Sequence, residues 1–131
     1  MKYLCLVYLE EQQADEPAPP EQRIMTAELL DFRDTLRASG HDVASSSLQP
    51  ADTATTIRVR NGRILMEDGP FARANDQLDG FYLIEAGDLN DAIRIAARMP
   101  SARIGSVEIR PVREIDPARS ATEHLNGQMR S

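Results

Sequence analysis

Two stretches of this chain are apolar on both faces, and they restrict the fold more than any other feature. In residues 3–9, Leu4, Leu6 and Tyr8 point one way, while Tyr3, Cys5, Val7 and Leu9 point the other. Gly80-Phe81-Tyr82-Leu83-Ile84-Glu85-Ala86 repeats the pattern. Side chains alternate along a strand, so strands of this kind must be covered above and below. They therefore belong at the centre of a sheet.

The remaining segments supply the cover. Pro20 suits the first turn of a helix, with Glu21 at the positive end of its dipole. Met25, Leu29, Phe32 and Leu36 then recur at helical spacing, and Ser39-Gly40 ends the run. Asp88 is a suitable N-cap for a second helix, with Leu89, Ala92, Ile93 and Ala96 on its expected buried side and Pro100 stopping it. Val43 to Leu48 reads as a short strand, Pro50 to Ala54 as a turn, and Gly105 to Val112 as a last strand with Val107 and Ile109 inward. Thr55-Thr56-Ile57-Arg58-Val59-Arg60 and Arg63-Ile64-Leu65-Met66 flank Asn61-Gly62, a strong hairpin signal. Glu10 to Pro19 reads as a loop.

The expected fold is α+β. A ferredoxin-like antiparallel sheet carries two helices on one face and an extra β-hairpin, within one domain over residues 1–115. Residues 116–131 form a polar tail. Two helices cover only one face of the sheet. The other would expose Leu, Tyr and Phe, so a homodimer with sheets packed face to face is expected.

Charge narrows the possible partners. Fifteen Lys and Arg against 21 Asp and Glu leave a net charge of −6, the wrong sign for direct nucleic-acid binding. The single cysteine, Cys5, sits in the first strand and reads as a buried, inert thiol. Met1-Lys2-Tyr3-Leu4 lacks the pattern of a signal peptide, and no apolar run approaches the ~20 residues of a membrane span. The expectation is a cytoplasmic protein with no membrane association.

The chemistry concentrates at one turn. Asp68 follows an apolar run, and Gly69-Pro70 then forces a change of direction, with Phe71 as an apolar wall. Such an aspartate serves either its own turn backbone or a ligand. His41, after the first helix, is suited to proton transfer near neutral pH or is an ordinary loop histidine. Asp68 could orient that imidazole if the fold brings the two together. Tyr82 and Tyr8 are either pocket walls or packing. His41 and His124 are the only histidines, and no His or Cys pair has ligand spacing, so neither a metal nor a cofactor is expected. Nucleotide-loop and serine-hydrolase motifs are absent.

Asp68-Gly69-Pro70-Phe71-Ala72, Gln77-Leu78, the 80–86 strand and Ser101-Ala102-Arg103-Ile104-Gly105-Ser106-Val107-Glu108-Ile109-Arg110-Pro111-Val112 together resemble the YCII-related, or DGPF-domain, family. So do Met1-Lys2-Tyr3-Leu4 and residues 50–62, in one register over roughly residues 1 to 114. Gly40-His41 with Ala44-Ser45 looks like a subgroup of it. The resemblance implies the dimeric α+β barrel superfamily, whose members include small isomerases, lyases and monooxygenases. It also implies an active-site pair of His41 and Asp68, with Gly69, Pro70, Phe71 and Tyr82 around a small organic ligand. The expected activity is then a cofactor-free lyase or isomerase that moves a proton. The family's frequent gene neighbourhood implies an alternative, a metabolite-sensing or partner-binding dimer linked to an extracytoplasmic-function sigma factor. Ala72-Arg73-Ala74-Asn75-Asp76-Gln77 lacks the glutamate and lysine usual there, so ligand preference is expected to differ.

Overall fold

The two-faced strands do lie at the centre. In the computed structural model, which describes residues 1–10 and 19–117, β1 (Lys2–Glu10) pairs antiparallel with both β5 (Asp76–Glu85) and β6 (Ser106–Pro111). β2 (Asp42–Ser47) closes the other edge on β5, giving the order β2-β5-β1-β6. This is a ferredoxin-like α+β arrangement. α1 (Pro19–Ala38) and α2 (Leu89–Ala97) supply the helical layer, and β3 (Thr55–Arg60) with β4 (Arg63–Asp68) form a separate two-stranded sheet.

One face of the sheet packs against the helices. Tyr3, Cys5 and Val7 of β1 and Tyr82 and Ile84 of β5 are buried there with Phe32, Leu36, Ala92, Ile95, Ala96 and Met99. Each large apolar side chain sealed in this layer contributes about 1.5–3 kcal/mol relative to exposure. Cys5 is fully buried, which pushes its thiol up to about 11 and keeps it in the unreactive neutral form. The opposite face carries Leu4, Leu6, Phe81 and Leu83, paired Leu4 with Leu83 and Leu6 with Phe81, and these remain half-buried.

Several boundaries and faces differ from the sequence reading. Met25 is exposed, because α1 packs on the sheet only from about Leu29 onward. In α2 the buried set is Ala92, Ile95 and Ala96, continued by Met99, whereas Leu89 and Ile93 are exposed. The i, i+3, i+4, i+7 stripe is rotated from the one expected, because Ala92 and Ala96 let the helix approach closely. Asp88 does cap α2, its Oδ1 accepting from the Asp91 amide at 2.8 Å. Beyond Pro100 the chain makes a short helix, α3 (Ser101–Ile104), that the sequence reading lacked. β5 also starts earlier than the apolar run, at Asp76, with a bulge where Tyr8 pairs with Leu78 and Val7 with Gly80.

Two glycines record how tightly the sheet is drawn together. A Cβ at Gly80 would lie 2.7 Å from the Ser46 carbonyl oxygen, and one at Gly105 would meet the Tyr8 carbonyl. Most of the loop expected between β1 and α1, the tail from 118 onward and His124 lie outside the described residues. Among the described residues, no helix is long and apolar enough to cross a membrane.

Candidate functional site

Asp68 is the last residue of β4, and the chain turns immediately after it. Gly69 adopts φ 103°, a conformation that L side chains avoid, which is why glycine stands there. The turn is pinned to the base of the hairpin on both sides. The Gly69 amide donates to Ala54 O at 2.7 Å, and Thr56 Oγ1 donates to Gly69 O at 2.9 Å. Arg73 reaches back to donate to the Asp68 carbonyl at 3.3 Å, and Gln77 Nε2 donates to the carbonyls of Ala72 and Ala74. The backbone of the turn is thereby fixed while the exposed Asp68 carboxylate is left without a hydrogen-bond or ion-pair partner among the described residues. The local Asx-turn role that the sequence allowed is absent.

Two hollows meet at this turn. The first, about 460 Å³, is polar: Asp52, Asp68, Arg73, Asn75 and Gln77 line it. The second, about 480 Å³, is mainly apolar, with Tyr8, Leu48, Pro50, Ala54, Phe71 and Leu78 on its walls. Pro70 and Gln77 border both, so the hollows adjoin across the turn. Phe71 is 72% exposed, with the Arg58 guanidinium 5.0 Å from its ring centroid, a cation–π contact that orients the ring. Among the described residues, Arg73 places the one positive charge of the polar hollow next to Gly69.

His41 is elsewhere. Its backbone oxygen accepts from the Glu85 amide, and its Nδ1 lies 2.7 Å from Glu85 O, at the far end of β5 from Gln77. Eight residue steps of strand separate those ends, about 26 Å at ~3.3 Å per residue. Within one protomer the two residues occupy different hollows. Because a carbonyl only accepts, Nδ1 carries the proton of that contact, and Nε2 is the nitrogen left to exchange one.

Tyr82 is also remote from the turn. It is buried on the helix side of β5, edge-on to Phe32 with ring centroids 5.5 Å apart, and the Arg33 guanidinium sits 5.9 Å from its centroid. Burial pushes its phenol up, partly opposed by Arg33. Tyr8, by contrast, does line the apolar hollow beside Phe71.

The residues that sequence reasoning missed are Asp52, Asn75 and Gln77. Gln77 belongs to the family-like Gln77-Leu78 and Arg73 to the stretch that departs from the family, but their aim toward Asp68 depends on how residues 69–77 fold back. Asp52 belongs to a short 3₁₀ turn, Ala51–Thr53, that no periodicity reveals. Among the described residues no group of three His, Cys, Asp or Glu side chains is placed to hold a metal ion.

An uncharacterised protein of Rhizobium meliloti (strain 1021) is 31% identical over 114 residues, covering 86% of this chain and 92% of that protein. Residues 1–116 match the model of the YCII-related domain, and the chain belongs to the YCII-related family.

Proposed function

We propose that this protein binds a small organic molecule at the Asp68 turn and moves a proton on it without a cofactor, as a lyase or isomerase would. The carrying observation is the junction of a polar hollow and an apolar hollow at an unengaged carboxylate. The apolar body of a substrate rests against Phe71, Tyr8 and Leu48, and Gly69 and Pro70 fix the turn beneath it. Its polar end faces Asp68 and Arg73. Asp68 is the proton carrier and Arg73 the cation that receives negative charge as it develops. His41 and Tyr82 lie outside this site in the protomer. In this reading His41 does not pair with Asp68 unless a second protomer supplies it.

A homodimer is part of the proposal. Leu4, Leu6, Phe81 and Leu83 make an apolar sheet face that two copies can cover together. Sedimentation of wild type against Leu6→Glu tests it: a stable monomer in both sinks the dimer. For the activity, enol lactones and ring-cleavage intermediates should be screened with wild type and Asp68→Asn. A positioned acid or base contributes ~10²–10⁴-fold, so the variant should lose at least the lower figure. Equal rates would remove Asp68 from the chemistry.

A second reading is favoured by the hairpin, whose bare aliphatic side chains Ile57, Val59, Ile64 and Met66 suit a protein partner. The protein is then a metabolite-sensing or partner-binding dimer, an extracytoplasmic-function sigma factor being the partner to try. Loss of capture in an Ile64→Glu, Met66→Glu variant supports it, and unchanged capture counts against the hairpin.

A further inference from the structure

We propose that the hollow between the end of α1 and α2 is a second binding site, one for small organic carboxylates. It encloses about 270 Å³, near the lower end of ligand-sized cavities. Its floor is apolar, made by the buried side chains of Phe32, Leu36 and Ile95. Its rim is basic, carrying Arg94, Arg98 and His41. A basic rim runs against the net charge of −6 on the chain as a whole.

The one carboxylate in the hollow is already engaged. Asp91 Oδ2 accepts from the Gly87 amide at 2.9 Å, and Oδ1 accepts from Arg94 at 3.2 Å. Those contacts, the Gly87 amide foremost, hold Asp91 below the usual carboxylate range and therefore charged. Arg98 has no ion pair among the described residues. It also borders the next hollow along the groove, where Glu28 is tied to Arg103 and Asp31 sits nearby. The basic rim thus keeps an unspent guanidinium beside an apolar floor. That combination recognises an acid with a flat or aliphatic body, its carboxylate on Arg98 and Arg94 and its body against Phe32 and Ile95. His41, held by its Nδ1 contact to Glu85 O, offers Nε2 as a further hydrogen-bonding atom.

The test is a titration of isotope-labelled full chain with sodium benzoate, followed by amide chemical shifts. Saturable shifts confined to residues 32–41 and 91–98 are expected, with Kd about millimolar or tighter. Arg98→Gln, an exposed substitution, should weaken binding about tenfold, the scale of one charge-assisted hydrogen bond. Asp68→Asn should leave the titration unchanged, which separates this site from the turn. The inference is overturned by shifts that do not saturate, by equal binding of benzamide, by indifference to Arg98→Gln, or by shifts that move to the Asp68 turn.

Discussion

The four-stranded sheet and the β3–β4 hairpin each line one face with apolar side chains at every second position, yet those faces end in opposite environments. In β1 and β5, Tyr3, Cys5, Val7, Tyr82 and Ile84 are sealed in the core, down to 0% exposure at Cys5 and Ile84. In the hairpin, Ile57, Val59, Ile64 and Met66 share one face and all stay 59–69% exposed. Alternation fixes which side chains lie together; only a third layer decides whether they are dry. Among the described residues the hairpin has no such layer, and an isolated two-stranded ribbon is marginal in water. By the same alternation, Asp68 projects from this bare face. Among the described residues, this weakly covered ribbon thus holds the carboxylate proposed to carry the chemistry.

The sharpest way to break that contrast is to shorten the same residue type in both regions. Ile84→Ala should cost about 2–5 kcal/mol, because a fully buried side chain leaves a cavity that neighbours fill only in part. Ile64→Ala should stay within about 0.5 kcal/mol by denaturant unfolding of dilute protein. If Ile64→Ala approaches the cost of Ile84→Ala as concentration rises, a partner copy covers the hairpin. If it does so at every concentration, the hairpin is packed within the protomer and the contrast fails.

A second test uses close approach rather than cavities. Gly80→Ala drives a methyl group against the Ser46 carbonyl, so the β2–β5 pairing must part, at about 1–3 kcal/mol. Gly40→Ala, where a Cβ meets no atom within 4 Å but φ is +79°, isolates the backbone term alone. A loss at Gly80 below about 0.5 kcal/mol would mean that sheet spacing is not the constraint there.

How much of this was legible depends on the kind of force involved. The central position of β1 and β5 followed from residues 3–9 and 80–86, since two-faced apolarity has few solutions. The hairpin followed from Asn61-Gly62, whose φ values of 52° and 75° are those that a tight turn between twisted strands requires. The rotation of α2 was illegible, because Ile93 and Ile95 are equally apolar and only the approach of Ala92 and Ala96 to the sheet chooses between them. The site divided similarly. Asp68 stood out by its turn, but its distance from His41 is a property of strand length and pairing. The folding back of Arg73 and Gln77 depends on carbonyl contacts that leave no mark in sequence.

Helix capping should give a smaller effect within the sheet unit. Asp88→Ala removes the acceptor for the Asp91 amide and should cost about 1 kcal/mol, with Asp88→Ser recovering most of it. Because α2 buries Ala92, Ile95 and Ala96 in the same core as Tyr3 and Ile84, the loss should appear in global unfolding. A loss seen only in exchange of the first turn of α2 would show that the helix frays independently of the core.

Gly62→Ala should have the smallest global effect and is the most discriminating. Gly62 adopts φ 75° with open space around it, so alanine meets no clash and only the left-handed backbone resists it, at about 1–2 kcal/mol. That cost falls on the ribbon. If the ribbon opens without the sheet, amide exchange across residues 55–68 rises about fivefold or more, while global stability moves by less than about 0.5 kcal/mol. If the two units are one cooperative body, the full cost appears in global unfolding and local exchange stays silent. The first outcome also bears on chemistry: opening the ribbon displaces Asp68 but leaves His41, Arg94 and Arg98 on the core. Proton transfer at the turn should then fall while benzoate binding between the helices persists.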